Sequence, residues 1–541
     1  MLNIIPKPFF MKELEGVKTI TQSSRVFVSE NLKDVLSVIL DEFKFIQEEN
    51  CMISSHEEAA DIKVVYEETL EKEAYKILCT PDCLIIKSSD YVGSFYAIQS
   101  IKQLVFFELE NNKKRISVPC IDVCDKPRFE HRGLLFDEAR HFFGKDECKR
   151  IIDLMAMYKL NVLHWHLTDD QGWRIEIKKY PLLTDIGSYR NDSNIHGWLS
   201  SDMEGKPHSG YYTQEEIIEI VQYASKKNIT IIPEIDMPAH FAAAIAGYNW
   251  LACRDIPCEV HTFFGGYIPT KKGWLDWNRP ACAGKDSTYK FIFDVIDELS
   301  SLFPAPLFHI GGDEAPKNEW RKCPECKKRM LDNGINDVED LQGYFNNQIS
   351  NYLKAKGKRL IVWNEALKAN NLDNSVIGQY WTPSTDKNIL KHLENGGKLI
   401  ISKHQAFYFD MCYCQYPLTN TYNFEVFDNM IPSKYSESIL GLEGHLWTEW
   451  IADRKKIDMQ LFPRLCALSE VCWTESGEKD LQNFLERLQY HKKILKSMKV
   501  NYAEDRISMP KGYFHRMREF ILWKTKDQHR EVLKNSKLKG D

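Results

Sequence analysis

The chain has 541 residues, with 71 Lys and Arg against 77 Asp and Glu, a formal net charge of -6, and 43% hydrophobic residues. This is the composition of a folded protein of about three domains at ~100–200 residues each, neither disordered nor low in complexity. Weak acidity argues against nucleic-acid or membrane-surface binding, which call for a basic face, and no apolar run approaches the ~18 residues of a membrane span.

The start, MLNIIPKPFF, has no basic head or apolar run of a secretory signal, and Pro6 and Pro8 interrupt it. A cytoplasmic location is the expectation; export after loss of a signal ahead of this numbering is the alternative. Residues 1–126 mix short alternating strands (Arg25–Val28, Ile62–Val65, Ala74–Leu78, Cys83–Ile86) with helical stretches such as Phe95–Gln103. They read as a small α+β domain with a helix-covered antiparallel sheet. Pro119 and Pro127 bracket what reads as a linker, VPCIDVCDKP.

From 127 to 475 short apolar strands alternate with longer helices. The strand candidates are Gly133–Phe136, Asn161–Trp165, Thr230–Glu234, Leu307–Ile310, Leu360–Trp363, Val376–Gln379, Lys398–Ile401 and Leu440–Glu443. Strands of this kind with crossovers predict an α/β fold, a (β/α)8 TIM barrel. A doubly wound sheet is the alternative, but no strand is followed by a glycine-rich phosphate loop. Residues 476–541 are Lys-rich and predict a helical segment packing on the barrel.

In a barrel, catalytic groups cluster just after strand ends. Here those positions carry Asp137, Arg140 and His141; His164, His166, Asp169, Asp170 and Trp173; Glu234, Asp236 and His240; His309, Asp313 and Glu314. Later strands add Trp363 and Glu365, Trp381, Tyr408 and Asp410, and Trp447 and Glu449. One Asp or Trp at a strand end is usually a cap or core packing, but all the strand ends carry such groups. Aromatics beside carboxylates and an arginine suit a sugar: ring C–H faces stack on indole, and hydroxyls need charged partners. The His-x-His at His164 and His166 is a metal-ligand pattern of barrel amidohydrolases, but the later strands lack the further ligands, so a structural hydrogen-bonding role is expected. Glycoside hydrolysis usually sets two carboxyls across the scissile bond. Here the strongest pair, Asp313 and Glu314, is adjacent in sequence and poorly placed to flank one bond.

HRGLLFDEARHF, NVLHWHLTDDQGWR, IIPEIDMPAH, HIGGDEAP and LWTEW, in this order, resemble glycoside hydrolase family 20, the β-N-acetylhexosaminidases. The resemblance implies a small α+β domain before a (β/α)8 barrel, and exo-acting removal of terminal β-linked GlcNAc or GalNAc with retention. It implies a substrate-assisted mechanism, in which the 2-acetamido oxygen attacks the anomeric carbon and forms an oxazolinium-type ring. By resemblance Glu314 is the general acid and base, and Asp313 orients the acetamido group. Tyr408 donates to its oxygen, and Asp169 pairs with His240, Asp170 being the close competitor. Arg132, Asp410 and Glu449 read hydroxyls, and Trp363, Trp381 and Trp447 form the aromatic pocket. Asp137 and Glu234 brace Arg132 or nearby loops. A neighbouring anion should raise the pKa of Glu314. The partner implied is a glycan or glycoconjugate, with neither nucleic acid nor membrane involved and no oligomeric state set. A disaccharide-releasing relative is the runner-up.

Three departures stand out from the family pattern: Ala239 where Gly is usual, Glu443 and His445 where Gln and Asn are common, and an atypical 250–286 loop that puts aglycone preference in doubt. Catalysis needs no cofactor on this reading. The 15 Cys show no disulfide framework, and reduced thiols are expected. Cys323 and Cys326, spaced Cys-x2-Cys, with Cys253 and Cys282 would close a structural zinc site, Cys258 being an alternative ligand.

Overall fold

The computed structural model of the protein describes residues 2–53, 60–111, 114–195, 203–262, 279–382, 387–427 and 430–525. They form two compact units. The first comprises Met1–Arg132, Asp153–Asn161 and Phe462–Tyr502; the second comprises Gly133–Ile152, Val162–Leu461 and Ala503–Asp541.

The first unit holds a sheet of β1 (Phe10–Thr21), β2 (Val26–Val28), β3 (Cys51–Ile53), β4 (Ile62–Tyr66), β5 (Tyr75–Cys79), β6 (Leu84–Ser88) and β7 (Arg115–Asp125), in the order β1-β7-β5-β6-β4-β2-β3. Pairing is antiparallel from β1 to β6 and parallel from β6 to β3. Burial alternates along β6 and β4, as a half-buried sheet requires. The helix α1 (Val35–Glu42) and the long helix α2 (Tyr91–Glu110) supply Val35, Ile39, Phe95, Ile98, Ile101 and Val105 to the same core as Val64, Ile77, Ile86, Val118 and Val123. Burying each such side chain contributes ~1.5–3 kcal/mol. Asp90 caps α2, its carboxylate accepting from Gly93 N at 2.7 Å. Gly93 lets the helix seat closely, because a Cβ there would lie 2.3 Å from Ala74 O.

The segment read as a linker is instead strand β7, inserted between β1 and β5. Pro119 does not break it, because it pairs with Val17 beside a register shift between Glu13 and Val17, where a missing N–H is tolerated. Residues 476–541, expected to form one segment on the barrel, divide. Leu481–Ser497 belongs to the first unit, where Arg487 pairs with Glu470 and donates to Ile4 O. Tyr513–Thr525 belongs to the second.

The barrel is built from β8 (His131–Asp137), β9 (Val162–Asp169), β10 (Thr230–Ile235), β11 (Leu307–His309), β12 (Arg359–Trp363), β13 (Ile377–Tyr380), β14 (Lys398–Ile401) and β15 (Ile439–Leu446). The sheet runs in that order and closes through pairing of β15 with β8. The strands pair in parallel, for example Gly133 with Val162 and Ile232 with His164. Barrel side chains alternate inward and outward, so counting in twos gives interior layers. Val162, Ile232, Ile361, Ile377 and Ile400 form an apolar floor, packed against by Leu307 and Leu440. Two residues on come His164, Glu234, His309, Trp363 and Gln379, all buried. Two more reach His166, Asp236, Glu365 and Trp381, where the strands end. Among the described residues no helix is long and apolar enough to cross a membrane.

Candidate active site

The polar layer above the floor is a dense network, though His309 Nε2, Gln379 Oε1 and His445 Nδ1 have no hydrogen-bond partner among the described residues. His164 pairs with Glu443 at 2.8 Å and with Glu234 at 3.1 Å. Glu234 also takes His166, His309 at 3.0 Å and the Trp363 indole N–H at 2.9 Å. Burial alone would raise Glu234; His166, His309 and His164 around it hold it well below the carboxylate range. His164 and His166 thus belong to this network. Glu443 accepts from Gln379 at 2.6 Å, and His445 lies 3.4 Å from it. These two unusual residues therefore complete the support beneath the pocket.

At the rim, the HIGGDE turn brings the carboxylates up. Gly311 and Gly312 have φ of +70° and +100°, and a Cβ on Gly311 would lie 1.7 Å from Asp236 Oδ1. Glu314 and His240 are themselves left-handed, at φ 47° and 49°. That conformation is uncommon outside glycine, and such strain clusters at functional sites. The two residues meet: His240 Nε2 is 3.5 Å from Glu314 and 3.6 Å from Asp313. Its Nδ1 is 3.5 Å from both Asp169 and Asp170, so the two carboxylates share it equally. His166 holds Asp169 from behind at 3.0 Å.

Burial would lower His240, but Asp169 and Asp313 override it and hold it well above the usual histidine range. His240 in turn holds Glu314 below its ordinary value. This corrects the expectation of a raised pKa: the dominant neighbour of Glu314 in the open site is a cation. Burial and then Asp313 push Asp236 well up, and its Oδ1, like Asp313 Oδ1, has no hydrogen-bond partner among the described residues.

Around this pair stands an aromatic wall. Tyr408 stacks on Trp381 at 5.8 Å and lies 6.3 Å from Trp447, and Trp363 lies 5.9 Å from Trp447. Trp381 donates to Glu365 at 2.8 Å, and burial pushes Glu365 up to about 7, with Asp313 adding to it. Asp410 is buried on the turn after Tyr408.

The arginine of this rim is Arg140. It bonds Asp169 at 2.7 Å, Asp137 at 3.1 Å and the Gln171 amide oxygen at 3.1 Å, lies 4.0 Å from Glu449, and sits over the Trp447 ring. Burial pushes Glu449 up to about 7, opposed by Arg140 and helped by Asp137. Arg132, expected as a hydroxyl reader, is not among these groups. It begins β8 rather than ending it, is fully buried, and spends its guanidinium on Glu73, Tyr96, Lys159 O and Phe129 O. Asp137 accordingly braces Arg140, not Arg132.

Sequence reading placed Arg140, Asp236 and Glu365 at strand ends but gave them no role. Counting by twos from Glu234 and Trp363 puts Asp236 and Glu365 in the same inward layer as His166 and Trp381. Arg140 required choosing the arginine after the strand over the one at its start. The stretch 263–278 of the atypical loop lies outside the described residues.

Comparison with known proteins adds a family. The model for "Glycosyl hydrolase family 20, catalytic domain" matches residues 129–476, and that for "Glycosyl hydrolase family 20, domain 2" matches residues 1–126. A beta-hexosaminidase of Porphyromonas gingivalis is 36% identical over 506 residues, 90% of this chain and 62% of that protein. This chain therefore spans less than two thirds of that relative. A beta-hexosaminidase of Vibrio furnissii is 32% identical over 487 residues, 86% of this chain and 76% of the relative. Among solved structures, a family 20 exo beta-N-acetylglucosaminidase of Vibrio harveyi, in complex with N-acetylglucosamine, matches with TM-score 0.80 and 32% identity. It covers 93% of this chain and 78% of its own.

Proposed function

Since the chain belongs to glycosyl hydrolase family 20, we propose that it is an exo-acting β-N-acetylhexosaminidase, removing terminal β-linked GlcNAc or GalNAc from glycans with retention of configuration. The observation that carries this reading is the convergence of Asp313 and Glu314 on one imidazole nitrogen. The two are also neighbours in sequence on one turn, a poor arrangement for facing each other across a glycosidic bond as nucleophile and acid. The nucleophile that completes the reaction is then the substrate's own 2-acetamido oxygen.

On this reading the proton that Glu314 delivers rests with His240 in the open site. A sugar entering the pocket displaces water, which disfavours the His240–Glu314 ion pair and moves the proton onto Glu314. Glu314 then protonates the leaving oxygen and afterwards takes a proton from water. Asp313 accepts the acetamido N–H and offsets the positive ring that forms. A protonated Asp236 beside it keeps the second buried carboxyl from competing. Tyr408, stacked on Trp381, donates to the acetamido oxygen, and the indoles enclose the methyl group. Arg140 and Glu449, with Asp410, read hydroxyls. The chemistry asks for no cofactor.

The test is a side-by-side assay of nitrophenyl-β-GlcNAc, nitrophenyl-β-GalNAc and nitrophenyl-β-glucoside, with proton NMR following the anomer first released. Hydrolysis of the two 2-acetamido sugars with β product and negligible glucoside turnover is the expected result. An initial α product, or comparable glucoside turnover, would overturn the reading.

A further inference from the structure

Four thiols from distant parts of the sequence converge away from the chemistry described above. Cys253 and Cys282 come from the long connection after β10. Cys323 and Cys326 come from the connection after β11, Cys323 between the short helix Lys317–Lys322 and the helix Pro324–Asp332 and Cys326 within the latter. Their sulfur atoms all lie within 4.8 Å of one another. Cys253 to Cys326 is 3.8 Å, Cys282 to Cys323 is 3.8 Å, and Cys282 to Cys326 is 3.7 Å. A zinc ion bound to four thiolates at ~2.3 Å sets its sulfurs at the corners of a tetrahedron with edges of about 3.8 Å. A disulfide would need ~2.05 Å, so these sulfurs stand at the separation of ligands around a shared ion.

Two local features favour thiolates here. Cys323 is the residue before the helix Pro324–Asp332 and Cys326 lies in its first turn, where unbonded N–H groups and the helix dipole stabilise negative sulfur. Gly284 N–H bonds Cys282, and Gly284 has to be glycine, since a Cβ would lie 2.2 Å from Glu325 C. Cys282, Cys323 and Cys326 are buried and Cys253 is half-buried, leaving no open coordination position for a substrate. By contrast Cys258, the alternative ligand, directs its thiol to Glu259 O and is not in the group.

We propose that Cys253, Cys282, Cys323 and Cys326 hold one structural zinc ion, which ties the segment carrying His240 to the segment carrying Glu314. Protein contacts already run along the same seam. The Trp320 indole donates to Ala281 O at 3.0 Å, Arg254 pairs with Glu319 at 2.8 Å, and Ala281 N donates to Pro238 O at 2.7 Å. The ion would close that seam covalently, fixing the distance between the general acid and the imidazole that holds its proton.

The test is elemental analysis of the full chain, expressed with equal zinc and iron in the medium and purified under reductant without added metal. One zinc per chain, with X-ray absorption showing four sulfurs at ~2.3 Å, is expected. The Cys282→Ser/Cys326→Ser variant should retain under a tenth of that zinc, while Cys258→Ser retains it all. Less than a tenth of an equivalent of zinc in the wild type, iron in its place, or nitrogen and oxygen ligands would each overturn the proposal. The wild-type measurement decides even if the double variant fails to fold.

Discussion

The first unit and the barrel rim both bury arginines against carboxylates, and they do so differently. In the first unit the buried charges are closed off at three places among the described residues. Arg487 makes two parallel bonds of 2.7 Å to Glu470. Lys159 is held by Asp125 at 3.1 Å and Tyr75 at 2.7 Å, and Asp125 is also bonded by Trp473. Arg132 is surrounded by acceptors from Glu73 and two carbonyls. At the rim the network is left open. Asp313 Oδ1 and Asp236 Oδ1 lack partners among the described residues, and His240 stands 3.5–3.6 Å from four carboxylates without a short bond to any. Leaving buried polar groups unmet costs ~1–3 kcal/mol each. That cost is sensible where a ligand will meet them, and it separates a binding site from a scaffold when both are rich in charge.

The sharpest break of this comparison is at Glu314. Replacing it with Gln keeps the shape but not the proton, and kcat for ordinary glycosides should fall ~10²–10⁴-fold. An aryl glycoside with a very good leaving group should be spared in the bond-breaking step of a single-turnover assay. Equal damage to both would remove Glu314 from the role of acid.

The two arginines give a crossed test. Arg132→Met should lower unfolding free energy by about 3 kcal/mol, because it strands Glu73 in a buried site, with kcat per folded molecule unchanged. Arg140→Met should lower kcat/KM by ~10²-fold or more and also cost stability, since it strands the buried Asp137 and Asp169. Denaturant melts and steady-state kinetics on both variants check this. If Arg132→Met lowers kcat per folded molecule and Arg140→Met leaves kcat/KM unchanged, the assignment of closed and open networks is wrong.

A smaller effect sharpens the reading of Glu449. Its folded pKa lies near 7, so it is protonated below that pH and charged above it, and a charged carboxylate accepts more strongly from a sugar hydroxyl. Inhibitor affinity should therefore rise ~3–10-fold, on the scale of one hydrogen bond, as pH passes upward through 7. The Glu449→Gln variant should lose the part of the rise that Glu449 supplies, leaving the part from Glu365, which burial also holds at about 7.

These contrasts also explain what could be seen from the sequence. The barrel strands were legible because parallel strands buried on both faces are short apolar runs between helices. Strand β7 was not, since its proline argued for a linker and only the neighbouring bulge on β1 makes it tolerable. HRGLLFDEARHF carries an arginine at each end, and the motif alone does not say which end of the strand faces the ligand; register does. The resemblance put His240 beside the acid, but the low pKa of Glu314 was not legible, because it depends on Asp169 and Asp313 together holding that imidazole as a cation. Expected thiols are present except at Cys412 and Cys414, which are joined by a disulfide. A pair two residues apart is not betrayed by any framework of spacings.

The central claim is that the substrate carries its own nucleophile, and one series measures it: kcat/KM for aryl β-glycosides whose N-acetyl methyl bears zero, one, two or three fluorines. Each fluorine withdraws electrons from the carbonyl oxygen and weakens it as a nucleophile while barely changing its size. The account predicts a steep, regular fall across the series at constant leaving group. A flat series, with a glycosyl ester trapped on any carboxylate, would contradict it.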